Sequence, residues 1–214
     1  FRSRNMPLQP RDKILSFLPL AHTYGCAFEF LFPFTKGCDI TFLTKTPSPK
    51  IIMQAFGEIK PALILSVPLV IEKIYKAQII PAMRKPAIRI LKNVPGLNTI
   101  IYKKIHAKLY NVFGGNFKEL VIGGAAFNAE AERFFRKIKF PFTVGYGMTE
   151  CGPLISYASW DTTVLGASGR IVDELIVKID NPDPKTCIGE IMVKGSHVMQ
   201  GYYKNEEATK QVLE

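Results

Sequence analysis

Long apolar runs are missing from this sequence. The longest nearly uncharged stretch, Pro61 to Ile71, has 11 residues, about half of the ~20 that a membrane-spanning helix needs. Cysteine is scarce too. Cys26, Cys38, Cys151 and Cys187 stand far apart, with no C-x-x-C and no His pair at zinc-finger spacing. They read as buried thiols of a cytosolic protein, not as a disulfide framework or a zinc site. There is no N-x-[ST] acceptor, and Phe1 to Pro10 is polar and basic without the apolar core of a signal peptide. The chain begins without Met, so excision from something longer is expected. Acidic residues are short as well: 18 Asp+Glu face 28 Lys+Arg, a formal charge of +10. The deficit is local. Residues 1–71 carry +4, 72–118 carry +9 and 119–214 carry −3. A basic balance invites a polyanion partner, but no aromatic-interleaved motif accompanies it, so nucleic acid is not expected.

What is present suffices for a core. Hydrophobic residues make up 47% of 214, and a chain of this size buries roughly 70% of its unfolded surface without staples. Lys13 to Leu18, Cys38 to Leu43 and Ala62 to Val67 read as strands. The run from Tyr24 starts as a helix that Pro33 limits and Gly37 ends. Ser48-Pro49 reads as an N-cap and N1 proline, before apolar residues at 51, 52, 55, 56 and 59 on one helical face. Pro68 opens a helix to about Gln78. Further on come a strand Lys118 to Ile122, a helix capped by Asn128 with charges matching its dipole, and a strand Phe142 to Tyr146. Strand–helix alternation with uncharged strand interiors predicts an α/β fold, a mostly parallel sheet flanked by helices. Leu175 to Asp180 and Ile188 to Lys194 predict a second, β-rich region joined by the turn at 181–184. The division expected is 1–155 for the α/β part and 156–214 for a partial β-rich part. Within the first, 72–118 reads as a basic helical insertion, with Ile88, Leu91, Ile101, Ile105 and Leu109 apolar and lysines opposite. A solvated face is one reading of it; contact with an anionic membrane or ligand is the other.

Ligands of parallel α/β sheets collect beyond the C-terminal strand ends. Three segments end strands there: Leu18 to Gly25 with His22, Val121 to Ala126, and Val144 to Glu150. In the third, Gly145 and Gly147 bracket Tyr146. The aromatic face of Tyr146, the hydroxyl of Thr149 and the carboxylate of Glu150 suit a nucleotide phosphate with a Mg²⁺ ion. A plain strand-to-loop turn with a solvated Glu is the competing reading, and Met148 reads as packing, with a border of the pocket as its other reading. Phosphate-loop, dinucleotide, zinc-protease, hydrolase and kinase signatures are absent.

Four ordered segments carry a resemblance. Tyr146-Gly147-Met148-Thr149-Glu150 resembles the Y-G-x-T-E motif of AMP-forming acyl-CoA synthetases in the adenylate-forming superfamily. Leu18-Pro19-Leu20-Ala21-His22 resembles its L-P-L-x-H segment, in wording most similar to long-chain fatty-acid–CoA ligases. Gly123-Gly124-Ala125 resembles the adenine-side glycine motif. Gly189 to Gly195, with Gly201-Tyr202 and Asn205 to Thr209, resembles the G-E-[IL]-x-[IV]-x-G…G-Y…N-x-x-x-T block. The resemblance implies one α/β subdomain of the adenylate-forming fold followed by part of a small β-barrel. It implies activation of a fatty acid with ATP to acyl-AMP, then transfer to CoA. Thr149 would contact the AMP phosphate and Glu150 would hold Mg²⁺. Gly145, Tyr146 and Gly147 would pack the adenine, with Gly123, Gly124 and Ala125 opposite, and His22 would line the acyl pocket. The family's Ser/Thr/Gly-rich loop ending in Pro-Lys, its T-G-D motif and its adenylation lysine have no counterpart here. The expectation is therefore a central slice of such a ligase, inactive by itself. Its place would be cytoplasmic or peripheral to the inner face of a membrane. A non-catalytic nucleotide- or acyl-binding module of the same fold is the alternative.

Overall fold

A computed structural model describes residues 6, 8–86, 88, 96–180, 183, 185–186 and 188–213. Leu91, Cys187 and most of the turn at 181–184 lie outside them. Five parallel strands form the central sheet: β1 (Lys13–Ser16), β2 (Asp39–Phe42), β3 (Leu63–Ser66), β4 (Glu119–Ile122) and β5 (Phe142–Val144), in the order β2-β1-β3-β4-β5. β3 and β4 are buried along their whole length and are apolar except for Ser66 and Glu119.

Helix α1 joins β1 to β2. It runs from Thr23–Gly25 through a π-helical Cys26–Leu31 to Phe32–Thr35. The expectation that Pro33 limits this helix fails. A π-helical turn precedes it, and Pro33 stands second in the closing α-turn, Phe32–Thr35, without ending the helix. Gly37 follows with φ 70°. Helix α2 (Pro49–Ile59) begins as its sequence predicts, the Ser48 hydroxyl accepting from Ile51 N at 3.3 Å. α1 steps from β1 to one side and α2 returns past β1 to the other, so right-handed crossovers put them on opposite faces. Helices α3 (Pro68–Gln78), α4 (Ile80–Arg84) and α5 (Leu97–Val112) lie between β3 and β4. The basic segment is thus the β3–β4 crossover. Ile105 and Leu109 of α5 are buried, with Phe113 beyond its end, while Lys103, Lys104 and Lys108 are exposed. Helix α6 (Ala129–Lys137) joins β4 to β5, and the Asn128 side chain accepts from Glu130 N and Ala131 N at 3.0 Å each.

The core is aromatic. Phe113, Phe117, Phe135, Phe140 and Phe142 are all buried, with neighbouring ring centroids 5.2 to 5.9 Å apart. Phe56 of α2 meets Phe113, and Tyr75 of α3 meets Phe134 and Phe135 of α6.

The expected strand Phe142 to Tyr146 divides at Gly145. Beyond it, β6 (Tyr146–Gly147) joins an antiparallel sheet with β7 (Leu154–Tyr157) and β8 (Arg170–Ile171). β9 (Leu175–Asp180) and β10 (Glu190–Gly195) form a second antiparallel pair, and α7 (Glu206–Val212) follows. The loop between β7 and β8 is tied down from two sides. Glu119 accepts from Trp160 N at 2.6 Å and from the Tyr157 hydroxyl. Arg136 donates to Trp160 O and Thr163 Oγ1, both at 3.1 Å, while Glu132 accepts from Gly166 N.

Candidate active site

The strand order reverses between β1 and β3, and a cavity of about 290 Å³ opens beyond the C-terminal strand ends there, extending past β4 and β5. All three segments singled out in the sequence meet in it. His22 comes from the β1 exit, Gly123 and Gly124 from β4, and Gly145, Tyr146, Gly147, Met148, Thr149 and Glu150 from the β5 exit. Ala125 is exposed and lies outside the lining.

Each segment has a physical reason to sit where it does. His22 N-caps α1, its Nδ1 accepting from Tyr24 N at 3.1 Å. In the neutral ring this leaves the proton on Nε2. Two residues on, Tyr24 braces the β4 exit. Its hydroxyl donates to Val121 O at 3.1 Å, and its ring lies so close under Gly123 that a Cβ there would stand 3.1 Å from Cζ. Burial pushes the Tyr24 phenol up, so it stays protonated. Gly147 is required for a different reason from the one its sequence suggests. The Pro153 carbonyl of the paired β7 side occupies the space a side chain would take, so strand pairing, not an approaching ligand, selects glycine.

Thr149 opens a 3₁₀ turn, Thr149–Cys151. Its hydroxyl makes no hydrogen bond among the described residues. Glu150 Oε1 accepts from the Tyr202 hydroxyl at 2.8 Å, and its main-chain oxygen accepts from Met199 N at 2.7 Å. Glu150 Oε2 has no partner among the described residues. Glu150 is the cavity's one carboxylate, and no Lys or Arg lines it among those residues. Apart from Thr23, whose buried hydroxyl has no partner among the described residues, the remaining lining is apolar or aromatic: Met6, Phe28, Leu65, Leu154 and Tyr157 among others. The lining thus combines a few polar groups with apolar surface fit for an acyl or aromatic group.

Sequence reasoning missed Tyr24, Tyr202 and two buried acids. Glu29 lies in the π-helical turn with Oε2 accepting from Phe17 N and Leu18 N, both at 2.9 Å, where β1 leaves the sheet. Burial pushes its carboxyl up to about 7 against the pull of those donors. Glu119 is raised likewise, to about 7, by burial at the start of β4. A lone acid inside the apolar run Tyr24 to Phe34 was the available signal for Glu29.

Residues 1–203 match the family model described as "AMP-binding enzyme". The chain is 28% identical to a chloroplastic long-chain-fatty-acid–[acyl-carrier-protein] ligase of Arabidopsis thaliana, covering 99% of this chain and 35% of that protein. It is 27% identical to long-chain-fatty-acid–CoA ligase 1 of Saccharomyces cerevisiae, covering 94% and 32%. The chain therefore spans about a third of the length of these relatives. Its fold is that of o-succinylbenzoate coenzyme A synthetase from Bacillus subtilis, solved with ATP and magnesium ion. The TM-score is 0.69 at 21% identity, over 99% of this chain and 38% of that one. With the family model matched over nearly its whole length, the chain belongs to the AMP-binding enzyme family.

Proposed function

We infer that this chain carries the acyl and adenylate pocket of an AMP-forming acid–thiol ligase, acting on a fatty acid, most simply a long-chain one, with ATP and CoA. The observation that carries the reading is the convergence of the His22, Gly123 and Tyr146–Glu150 segments on one cavity at the sheet's switch point. The names of both relatives support the acid; that of the yeast relative supports CoA as the thiol, whereas that of the plant relative names an acyl-carrier protein.

The chemistry asks for little covalent work from the protein. A carboxylate oxygen attacks the α-phosphorus and pyrophosphate leaves. The CoA thiol then attacks the acyl carbonyl and AMP leaves. Positioning and charge neutralisation dominate both steps. Tyr146 offers a face for adenine, between Gly145 and Gly147 on one side and Gly123 and Gly124 on the other, with Ala125 at the rim. The free Thr149 hydroxyl donates to a phosphate oxygen. His22 Nε2–H donates toward the reacting carboxylate. A divalent cation fits the residues present: a single carboxylate with an unpartnered Oε2 suits Mg²⁺, which is held by one or two carboxylates together with substrate phosphates. No cluster of three or more His, Cys, Asp or Glu able to hold a metal by itself occurs among the described residues. When bound, Mg²⁺ would neutralise phosphate charge beside Glu150.

No helix among the described residues is long and apolar enough to cross a membrane. The exposed face of α5 pairs Leu97 and Ile100 with Lys104 and Lys108 at helical spacing, beside Lys103. That face suits peripheral contact with an anionic bilayer.

Binding tests the reading. The chain is titrated by calorimetry with AMP, with palmitate and with a non-hydrolysable palmitoyl-adenylate analogue. The analogue is expected to bind tighter than either part, and Thr149→Val to weaken the analogue and AMP but not palmitate. Equal or absent binding of all three would sink the assignment.

A further inference from the structure

Glu150 is gripped by a segment 49 to 52 residues away in sequence. Met199 N–H donates to its main-chain oxygen and the Tyr202 hydroxyl to Oε1. The gripping segment is itself anchored. Tyr202 N–H donates to Thr209 Oγ1 at 2.9 Å, and Thr209 Oγ1 donates to Asn205 O at 2.8 Å. Asn205 caps α7 through Ala208 N at 3.1 Å. Gly201, at φ 143°, lets the chain pass Thr209 so closely that a Cβ would stand 2.9 Å from its methyl group. The Tyr202 main chain is therefore fixed before its ring reaches out to Glu150. Tyr202 is 38% exposed and so is not a core residue. What the side chain contributes is its hydroxyl.

We propose that Tyr202 is a positioning residue for Glu150: its phenol holds Oε1 and leaves Oε2 available to a divalent cation bound with the nucleotide. This rests on the reading of Glu150 as the cation's carboxylate. A Glu on a three-residue turn has three side-chain torsions to settle. Ordering it in advance removes that cost from the binding step. Hydrogen-bond partners of metal-binding carboxylates act in this way, and losing one typically costs about 10- to 100-fold in metal affinity. The β10–α7 connection thereby becomes part of the site, its phenol reaching the Glu150 carboxylate and Met199 N–H the Glu150 main chain.

The test uses Mn²⁺–ATP as probe, with water-proton relaxation reporting the protein-bound complex, and the unmodified chain, Glu150→Gln, Tyr202→Phe and the double variant. Tyr202→Phe keeps the ring and loses the hydroxyl. It is expected to weaken binding about tenfold with an unchanged melting temperature. In the Glu150→Gln background it is expected to change nothing further, because the two groups act as one unit. If Glu150→Gln weakens binding tenfold while Tyr202→Phe stays within twofold of the unmodified chain, the Tyr202 proposal fails alone. It also fails if the Tyr202→Phe loss persists undiminished in the double variant, or if Tyr202→Phe unfolds the chain, since the hydroxyl is then structural. If Glu150→Gln binds as the unmodified chain does, or the unmodified chain binds no Mn²⁺–ATP, the reading of Glu150 fails and takes the proposal with it.

Discussion

Two carboxyls, Glu29 and Glu119, do the least expected work at the scale of single residues. Both are buried, and burial raises each from 4.5 to about 7. The folded state thus holds their protons after the unfolded state has lost them. Between pH 4.5 and about 7 the native chain binds more protons, so stability falls as pH rises through that window and levels off above it. Each group accounts for something on the order of 3 kcal/mol at neutral pH, from about 1.4 kcal/mol per unit. Urea denaturation at a series of pH values is expected to show this decline, and Glu29→Gln to remove part of it. A Glu29→Gln curve parallel to that of the unmodified chain would mean that Glu29 titrates as an ordinary carboxyl. Glu119 left no signal in the sequence, and Glu29 only that of a lone acid in an apolar run. A carboxylate that accepts main-chain N–H groups across 11 or 12 residues leaves no local pattern. The meeting of His22, Thr149 and Glu150 at one cavity, by contrast, was legible, because the sheet brings strand ends together as a rule.

Elements were easiest to read where a local rule terminates them. Ser48 and Asn128 cap α2 and α6 in the structure as their sequence positions predict. Replacing either with Ala is expected to cost about 1 kcal/mol in chemical denaturation, and no loss for Asn128→Ala would show that its two accepted hydrogen bonds are redundant. Helix α1 was misread at Pro33, because a π-helical turn depends on ladder geometry that proline spacing does not reveal. The strand at 142–146 was read one residue pair too long. Its apolar pattern continues across Gly145, while its hydrogen bonds pass from a parallel to an antiparallel neighbour. The basic crossover offers a test of its own. Sedimentation with anionic vesicles is expected to bring down the chain, with neutral vesicles not to, and Lys103→Gln, Lys104→Gln and Lys108→Gln together to reduce it several-fold. Equal sedimentation with both kinds of vesicle would leave the lysines as a solvated face.

Over the whole molecule, charge and chemistry separate. The +9 segment is the β3–β4 crossover, whereas the cavity has Glu150 and no Lys or Arg among the described residues. Net charge therefore described a surface and gave no guide to the pocket. Fold class and strand positions followed from apolar patterning, and the joining of 195–209 to the motif turn did not, since nothing in sequence couples Tyr202 to Glu150. The loop after β7 carries a further consequence. Trp160 is the chain's single tryptophan, and its main chain is held at one end by Glu119 and at the other by Arg136. Intrinsic fluorescence of this protein is thus a one-site optical reporter. Its emission maximum reads out the docking of that loop on the sheet without any introduced dye.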